Sequence, residues 1–111
     1  MQTIAETPLF IKQAEKLFSM SEKKAIIDFL VTHPYEEDLI PHTGGVRKVG
    51  VPASGRGKRS GARVIYYVFN EDAPIYALLV YAKNQNVGLT RDEAKAVSAF
   101  AEAIKAHSRS K

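Results

Sequence analysis

Apolar residues recur at two different spacings along this chain, and the change of spacing separates helical from strand-like parts. From residue 8 to residue 33 the apolar positions recur every three or four residues, as on one face of an α-helix. From residue 46 to residue 82 they alternate with polar positions or run almost uninterrupted, as in strands. Helical spacing returns after residue 90. The pattern predicts helices in both outer parts and strands between them, with a further short strand at residues 2–5.

Signals for the start of a helix occur at three places. Thr7 followed by Pro8 predicts an N-cap with proline in the first helical turn, and hence a helix over residues 8–18. Residues 19–22 (SMSE) and 90–93 (TRDE) both have the spacing of a capping box. We therefore expect three helices, two of them joined by a very short connection.

Three segments of the middle region predict strands. Residues 46–51 alternate apolar and basic side chains, whereas residues 64–69 and 75–82 are apolar, β-branched or aromatic almost throughout. The second kind of composition suits strands that are buried on both faces. Residues 70–74 form the turn between these two strands, and residues 52–61, rich in Gly, Ser and basic residues, form a loop.

The element order β-α-α-β-β-β-α predicts an α+β fold. Two N-terminal helices and a C-terminal helix would pack on a mostly antiparallel sheet, and the economical arrangement places them all against one face. The 111 residues have room for a single domain over residues 1–111. No cysteine is present for disulfides or thiolate metal sites. Neither a signal peptide nor a membrane-spanning stretch is apparent, so we expect a cytoplasmic protein without membrane contact.

Positive charge is concentrated in one part of the chain. The net charge is +4, yet no Asp or Glu occurs between Leu39 and Asn70. The same stretch holds six of the 16 basic residues, namely Arg47, Lys48, Arg56, Lys58, Arg59 and Arg63. A one-sided distribution of this kind is expected of a protein that binds a phosphate backbone. A merely solvated loop is the alternative for residues 56–59, and the complete lack of acids favours phosphate binding.

The end of the last predicted strand holds the other candidates for chemistry. Lys83 and Asn84 follow a run of apolar residues. Tyr66, Tyr67, Tyr76 and Tyr81 are candidates for stacking on bases, and we expect at most two of them to touch a ligand. The three histidines do not pair with one another or with carboxylates at the spacing of metal ligands, so we expect neither a metal nor another cofactor. His42, just before a Gly-Gly turn, is a remote candidate for proton transfer.

Three segments in combination resemble the RelE/HigB family of toxins from type II toxin–antitoxin systems, specifically its HigB-like branch. They are residues 43–48 (TGGVRK), 55–67 (GRGKRSGARVIYY) and 81–84 (YAKN). The flanking helices match as well, so the resemblance covers essentially the whole chain. It implies a microbial-RNase-type fold and metal-independent cleavage of mRNA on the ribosome by attack of a ribose 2′-OH, which inhibits translation. It also implies a cognate antitoxin from an adjacent gene, through which the complex would bind operator DNA.

The resemblance assigns roles by position. Arg63 matches a strand arginine that contacts the scissile phosphate, and Lys58 and Lys83 match further catalytic cations. The residues expected to bind RNA or the ribosome are Arg47, Lys48, Arg56, Arg59, Tyr81 and Asn84. Many relatives carry an arginine where Asn84 stands and a tyrosine shortly after it, and this chain has neither. The general base therefore stays open between Lys83 and Lys58.

Two other functions fit the same pattern. Toxins of the ParE type resemble this fold and inhibit DNA gyrase without cleaving RNA, but they tend to lack the clustered cations. A non-catalytic RNA-binding module is the second alternative. Cleavage of mRNA on ribosomes would distinguish all three.

Overall fold

The computed structural model describes residues 3–52, 61–83 and 88–109. Within them lie three helices, α1 (Pro8–Leu17), α2 (Met20–Thr32) and α3 (Arg91–Arg109). They also contain five strands, β1 (Ile4–Glu6), β2 (Asp38–Leu39), β3 (Val46–Val51), β4 (Ala62–Val68) and β5 (Ile75–Ala82). The predicted α+β class and the predicted elements are confirmed, and the two-residue strand β2 is an addition.

The five strands form one sheet in the order β1-β5-β4-β3-β2. All neighbouring pairs are antiparallel except β1 and β5, which run parallel. Ile65 pairs with Leu79 and Tyr66 pairs with Ala77, so Leu78 is an extra residue that forms a bulge in β5. The hairpin predicted for the second and third strands of the middle region is therefore present, with β4 at the centre of the sheet.

The helix starts follow the sequence signals. Thr7 Oγ1 accepts a hydrogen bond from the backbone N–H of Phe10 at 3.1 Å and donates one to the carbonyl of Leu78 at 2.7 Å. The N-cap of α1 is thereby tied directly to β5. Both predicted capping boxes, at residues 19–22 and 90–93, are formed by reciprocal hydrogen bonds.

Helices cover both faces of the sheet. On one, called here the α1–α2 face, Phe10 and Leu30 pack in a core with Val64. On the other, the α3 face, Val97 packs in a second core with Ile65. The expectation that all helices share one face is therefore wrong. The reason lies in β4, which is buried at six of its seven positions and so needs apolar cover on both sides.

Candidate functional site

Basic and aromatic side chains gather at one end of the sheet on the α3 face. Gly50 of β3 lies opposite Arg63 of β4, and Arg63 lies opposite Tyr81 of β5. Paired residues share a face of the sheet, and Tyr81 packs against the core on the α3 side. Lys48 is two residues before Gly50 on the same strand, so it lies on the same face. Three neighbouring strands each contribute one side chain.

Lys83 completes this group. Its backbone N–H donates to the carbonyl of Gly61 at 3.1 Å, which extends the pairing of β4 and β5 by one step. Its ammonium lies above Gly50, since a Cβ added there would be 3.9 Å from Lys83 Nζ. Because Gly50 has no side chain, the space above it, next to the Lys83 ammonium, is open. Lys48, Arg63, Tyr81 and Lys83 are called the cation site below.

Tyr81 lies between opposite charges. Burial raises the pKa of its phenol above the ordinary 10.0; the Arg63 guanidinium lowers that pKa, and the Glu93 carboxylate raises it further. The net shift is upward, so the phenol keeps its proton at neutral pH. The cation site therefore combines fixed positive charges with a neutral O–H group that is able to donate a hydrogen bond or a proton.

Glu93 acts on the cation site although the sequence predicts no such role for it. Its backbone N–H donates to Thr90 Oγ1 at 3.1 Å, and its Oε1 accepts from the Thr90 backbone N–H at 2.9 Å. These bonds hold the carboxylate at the start of α3, where it acts on the Tyr81 phenol. The sequence signals only the capping box, because the position of α3 on the sheet is not encoded in the local pattern.

Arg47 is not brought to the cation site. Its Nη1 donates to the carbonyls of Tyr35 and Glu37 at 3.1 and 2.6 Å, and its guanidinium carbon lies 5.7 Å from the Tyr35 ring centroid. It lies opposite Tyr66 in register, on the α1–α2 face. The Tyr66 hydroxyl donates to the carbonyl of Pro34 at 3.2 Å. Both side chains fasten the segment that links α2 to β2.

His42 also lies away from the cation site. It precedes β3 and has a φ of 64°, while Gly50 is near the end of that strand. The turn from His42 into β3 is stabilised by buried Thr43, whose hydroxyl accepts a hydrogen bond from the Val46 backbone N–H at 3.2 Å. His33 closes α2 and forms a hydrogen bond with the Glu36 carboxylate. The structure thus gives His42 no contact with Arg63 or Lys83.

Four of the predicted site residues lie outside the described residues: Arg56, Lys58, Arg59 and Asn84. Their predicted roles stay predictions. In the described part of the chain, no group of three or more His, Asp or Glu residues is arranged to hold a metal ion. Within the same residues, no helix is both long enough and apolar enough to cross a membrane.

Comparison with known proteins identifies the fold. No family model matches the chain. The structure is similar to that of the E. coli toxin RelE, determined in the free state as a mutant with two arginines replaced by alanine. The TM-score is 0.57 at 18% sequence identity, and the match covers 84% of this chain and 93% of that chain. The chain therefore has a fold similar to that of RelE, as its sequence predicts.

Proposed function

We propose that this chain is the toxin of a type II toxin–antitoxin system and belongs to the HigB-like branch. It acts in the cytoplasm as a ribosome-dependent mRNA endoribonuclease that inhibits translation. The observation that carries the proposal is the convergence of Lys48, Arg63 and Lys83 beside the protonated Tyr81 phenol. The RelE-like fold and the resemblance of three sequence segments support it. The partners are the ribosome with its mRNA, and an antitoxin encoded by an adjacent gene.

The cations suit the transition state of RNA cleavage. When a ribose 2′-oxygen attacks the adjacent phosphorus, negative charge builds up on the phosphorane oxygens, and preorganised cations stabilise it. Arg63 is fixed between paired neighbours in β4 and presents a planar fork that matches two phosphate oxygens. Lys48, on the adjacent strand, supplies a second charge on the same face.

Proton transfer needs a donor and an acceptor. As the bond between phosphorus and the 5′-oxygen breaks, Tyr81 gives its phenolic proton to the departing oxygen. The new bond from the 2′-oxygen to phosphorus leaves a 2′,3′-cyclic phosphate. Lys83 or Lys58, in its neutral amine form, takes the proton of the 2′-hydroxyl and becomes an ammonium cation in the same step. Lys83 is the one that belongs to the cation site, above Gly50.

The test is cleavage of a labelled mRNA on translating ribosomes. The wild-type protein is expected to cut within the ribosome-bound message and to leave 2′,3′-cyclic phosphate ends, while Arg63→Ala does not. Lys24→Ala is the matched control, because Lys24 is an exposed cation on α2, away from the cation site. Inhibition of DNA gyrase without cleavage would replace the proposal with a ParE-type function. RNA binding without cleavage would leave a non-catalytic RNA-binding module.

A further inference from the structure

The outer edge of β3 is only partly covered. The Ile40 backbone N–H donates to the carbonyl of Val46 at 2.8 Å, so the main-chain groups of Val46 point toward β2. In an antiparallel strand the backbone N–H and C=O groups of every second residue point to the same side. Those of Lys48 and Gly50 therefore point to the same side as those of Val46. Strand β2 begins at Asp38, which lies opposite Lys48, so it does not extend along β3 as far as Gly50. Within the described ranges no strand residue therefore lies opposite Gly50, and its outward N–H and C=O form an open template for another strand.

A cavity of about 260 Å³ opens beside this edge, between α2 and the end of β3. Its walls include Ala25 and Phe29 of α2, together with Val51 and Pro52. Phe29 is 37% exposed although it is large and apolar. The volume lies below the roughly 300–1,000 Å³ of pockets that enclose a whole small-molecule ligand. It suits apolar side chains presented by a neighbouring segment.

The two faces of the edge differ in charge. A residue placed opposite Gly50 on an added strand would share its face, which is the α3 face with Lys48 and Lys83. The residues on either side of it would point to the other face, toward the cavity. Complementarity therefore requires an acidic residue opposite Gly50 with apolar residues flanking it. The chain already shows this pairing one step earlier, where Asp38 lies opposite Lys48.

We infer that the open edge of β3 at Gly50 binds an extended segment of the cognate antitoxin with the pattern apolar–acidic–apolar. The inference rests on the proposed function and specifies how that function is switched off. The segment continues the line of β2 and pairs with the Gly50 main chain. Its apolar side chains enter the cavity beside α2, and its carboxylate occupies the space between Lys48 and Lys83 that the RNA phosphate would otherwise take.

Amide hydrogen exchange on the wild-type protein tests the pairing. The probe is the full-length product of the adjacent gene, added to the purified toxin. Exchange at Gly50 is expected to slow on binding, because its N–H becomes bonded to the added strand. Unchanged exchange at Gly50 in a saturated complex would overturn the inference. This measurement needs no substitution and so does not depend on the folding of a variant.

Substitutions on α2 test the cavity. Ala25→Glu places a carboxylate in the cavity wall and should weaken antitoxin binding at least about tenfold, or 1.4 kcal/mol. Lys24→Glu is the control, since it introduces the same residue at the neighbouring exposed position, which lines the groove between α1 and α2 instead. Lys24→Glu also changes the net charge by more than Ala25→Glu does. A general electrostatic effect would therefore weaken antitoxin binding more in Lys24→Glu than in Ala25→Glu. Both variants should still cleave mRNA on ribosomes. Equal affinities for the two variants would refute the inference.

The docking site and the proposed function are refuted by different results. A toxin that cleaves mRNA and is neutralised by its neighbour, with Ala25→Glu bound as tightly as the wild type, refutes the docking site alone. A wild-type chain that neither cleaves mRNA on ribosomes nor binds the neighbouring product refutes the proposed function and the docking site together.

Discussion

Arg63 and Tyr81 lie directly opposite each other on β4 and β5, and the charge of Arg63 acts on the Tyr81 phenol. The guanidinium lowers a phenol pKa that burial and Glu93 raise. Residues in contact of this kind give non-additive effects when both are substituted. On the proposed function the pair stabilises charge and delivers a proton within a single catalytic unit.

Arg63→Ala is expected to lower mRNA cleavage on ribosomes about 10²- to 10³-fold, the usual effect of losing one preorganised donor to a transition state. Arg63→Lys should recover part of the rate, because it keeps the charge but loses the planar fork. Single-turnover cleavage gives the rates, and circular dichroism establishes that both variants are folded. A folded Arg63→Ala protein that cleaves at the wild-type rate would place the reaction elsewhere.

Tyr81→Phe removes the proposed proton donor and keeps the ring. General acid catalysis contributes typically about 10²- to 10⁴-fold, so the cleavage rate should fall by about 10²-fold or more. The pKa of Tyr81 is raised from 10.0, so the wild-type protein should lose half of this donor only above pH 10. A rate profile over pH measures both effects. If Tyr81→Phe retained full activity, the residue would at most stack on a base.

Arg47→Ala should act on stability more than on catalysis. Its guanidinium bonds to two main-chain carbonyls on the α1–α2 face, and hydrogen bonds from charged groups contribute about 1.5–3 kcal/mol. We expect the free energy of unfolding in urea to fall by about 1–3 kcal/mol, with a smaller loss of cleavage than in Arg63→Ala. Weakened ribosome binding at unchanged stability would instead give Arg47 the RNA-binding role that the resemblance implies.

Ionisation of Tyr66 is expected to lower the free energy of unfolding at alkaline pH. Burial raises its pKa from 10.0 to about 12. A group whose pKa is higher in the folded state favours folding fully below its unfolded pKa. That contribution is lost as the pH rises through the folded pKa, here from about 10 to 12. At 1.36 kcal/mol per pKa unit, the rise from 10.0 to about 12 is on the order of 2–3 kcal/mol. Urea unfolding at pH 9 and pH 11.5 measures it, with Tyr66→Phe as the variant that lacks this ionisation.

The secondary structure was largely predictable because its signals are local. Thr7 with Pro8, and the capping boxes at residues 19–22 and 90–93, mark the helix starts that the structure contains. The extra residue Leu78 was not predictable, since apolar residues precede and follow it and the bulge is visible only in the pairing with β4. The position of α3 was not predictable either. The sheet needs apolar cover on both faces, and the amphipathic pattern of a helix does not indicate which of the two faces it covers.

The candidate site was predictable in part. Arg63 and Lys83 were named from the sequence, and the structure brings both to the α3 face beside Gly50. Alternation along β3 already separates Arg47 from Lys48, but only the strand pairing and the two cores identify the face on which each lies. Glu93 approaches Tyr81 through the tertiary packing of α3, and that contact leaves no trace in the local sequence.

The parallel pairing of β1 with β5 has a consequence for the way the protein is made. Thr7 Oγ1 bonds to the carbonyl of Leu78, 71 positions later in the chain, and contacts between such distant residues form late in folding. During synthesis, β1 and the start of α1 emerge from the ribosome well before their partner strand. Tyr81 belongs to that strand and Lys83 follows it. A nascent chain therefore lacks Tyr81 and Lys83 of its cation site until β5 has emerged, and on the proposed function it does not cleave the message that encodes it before then.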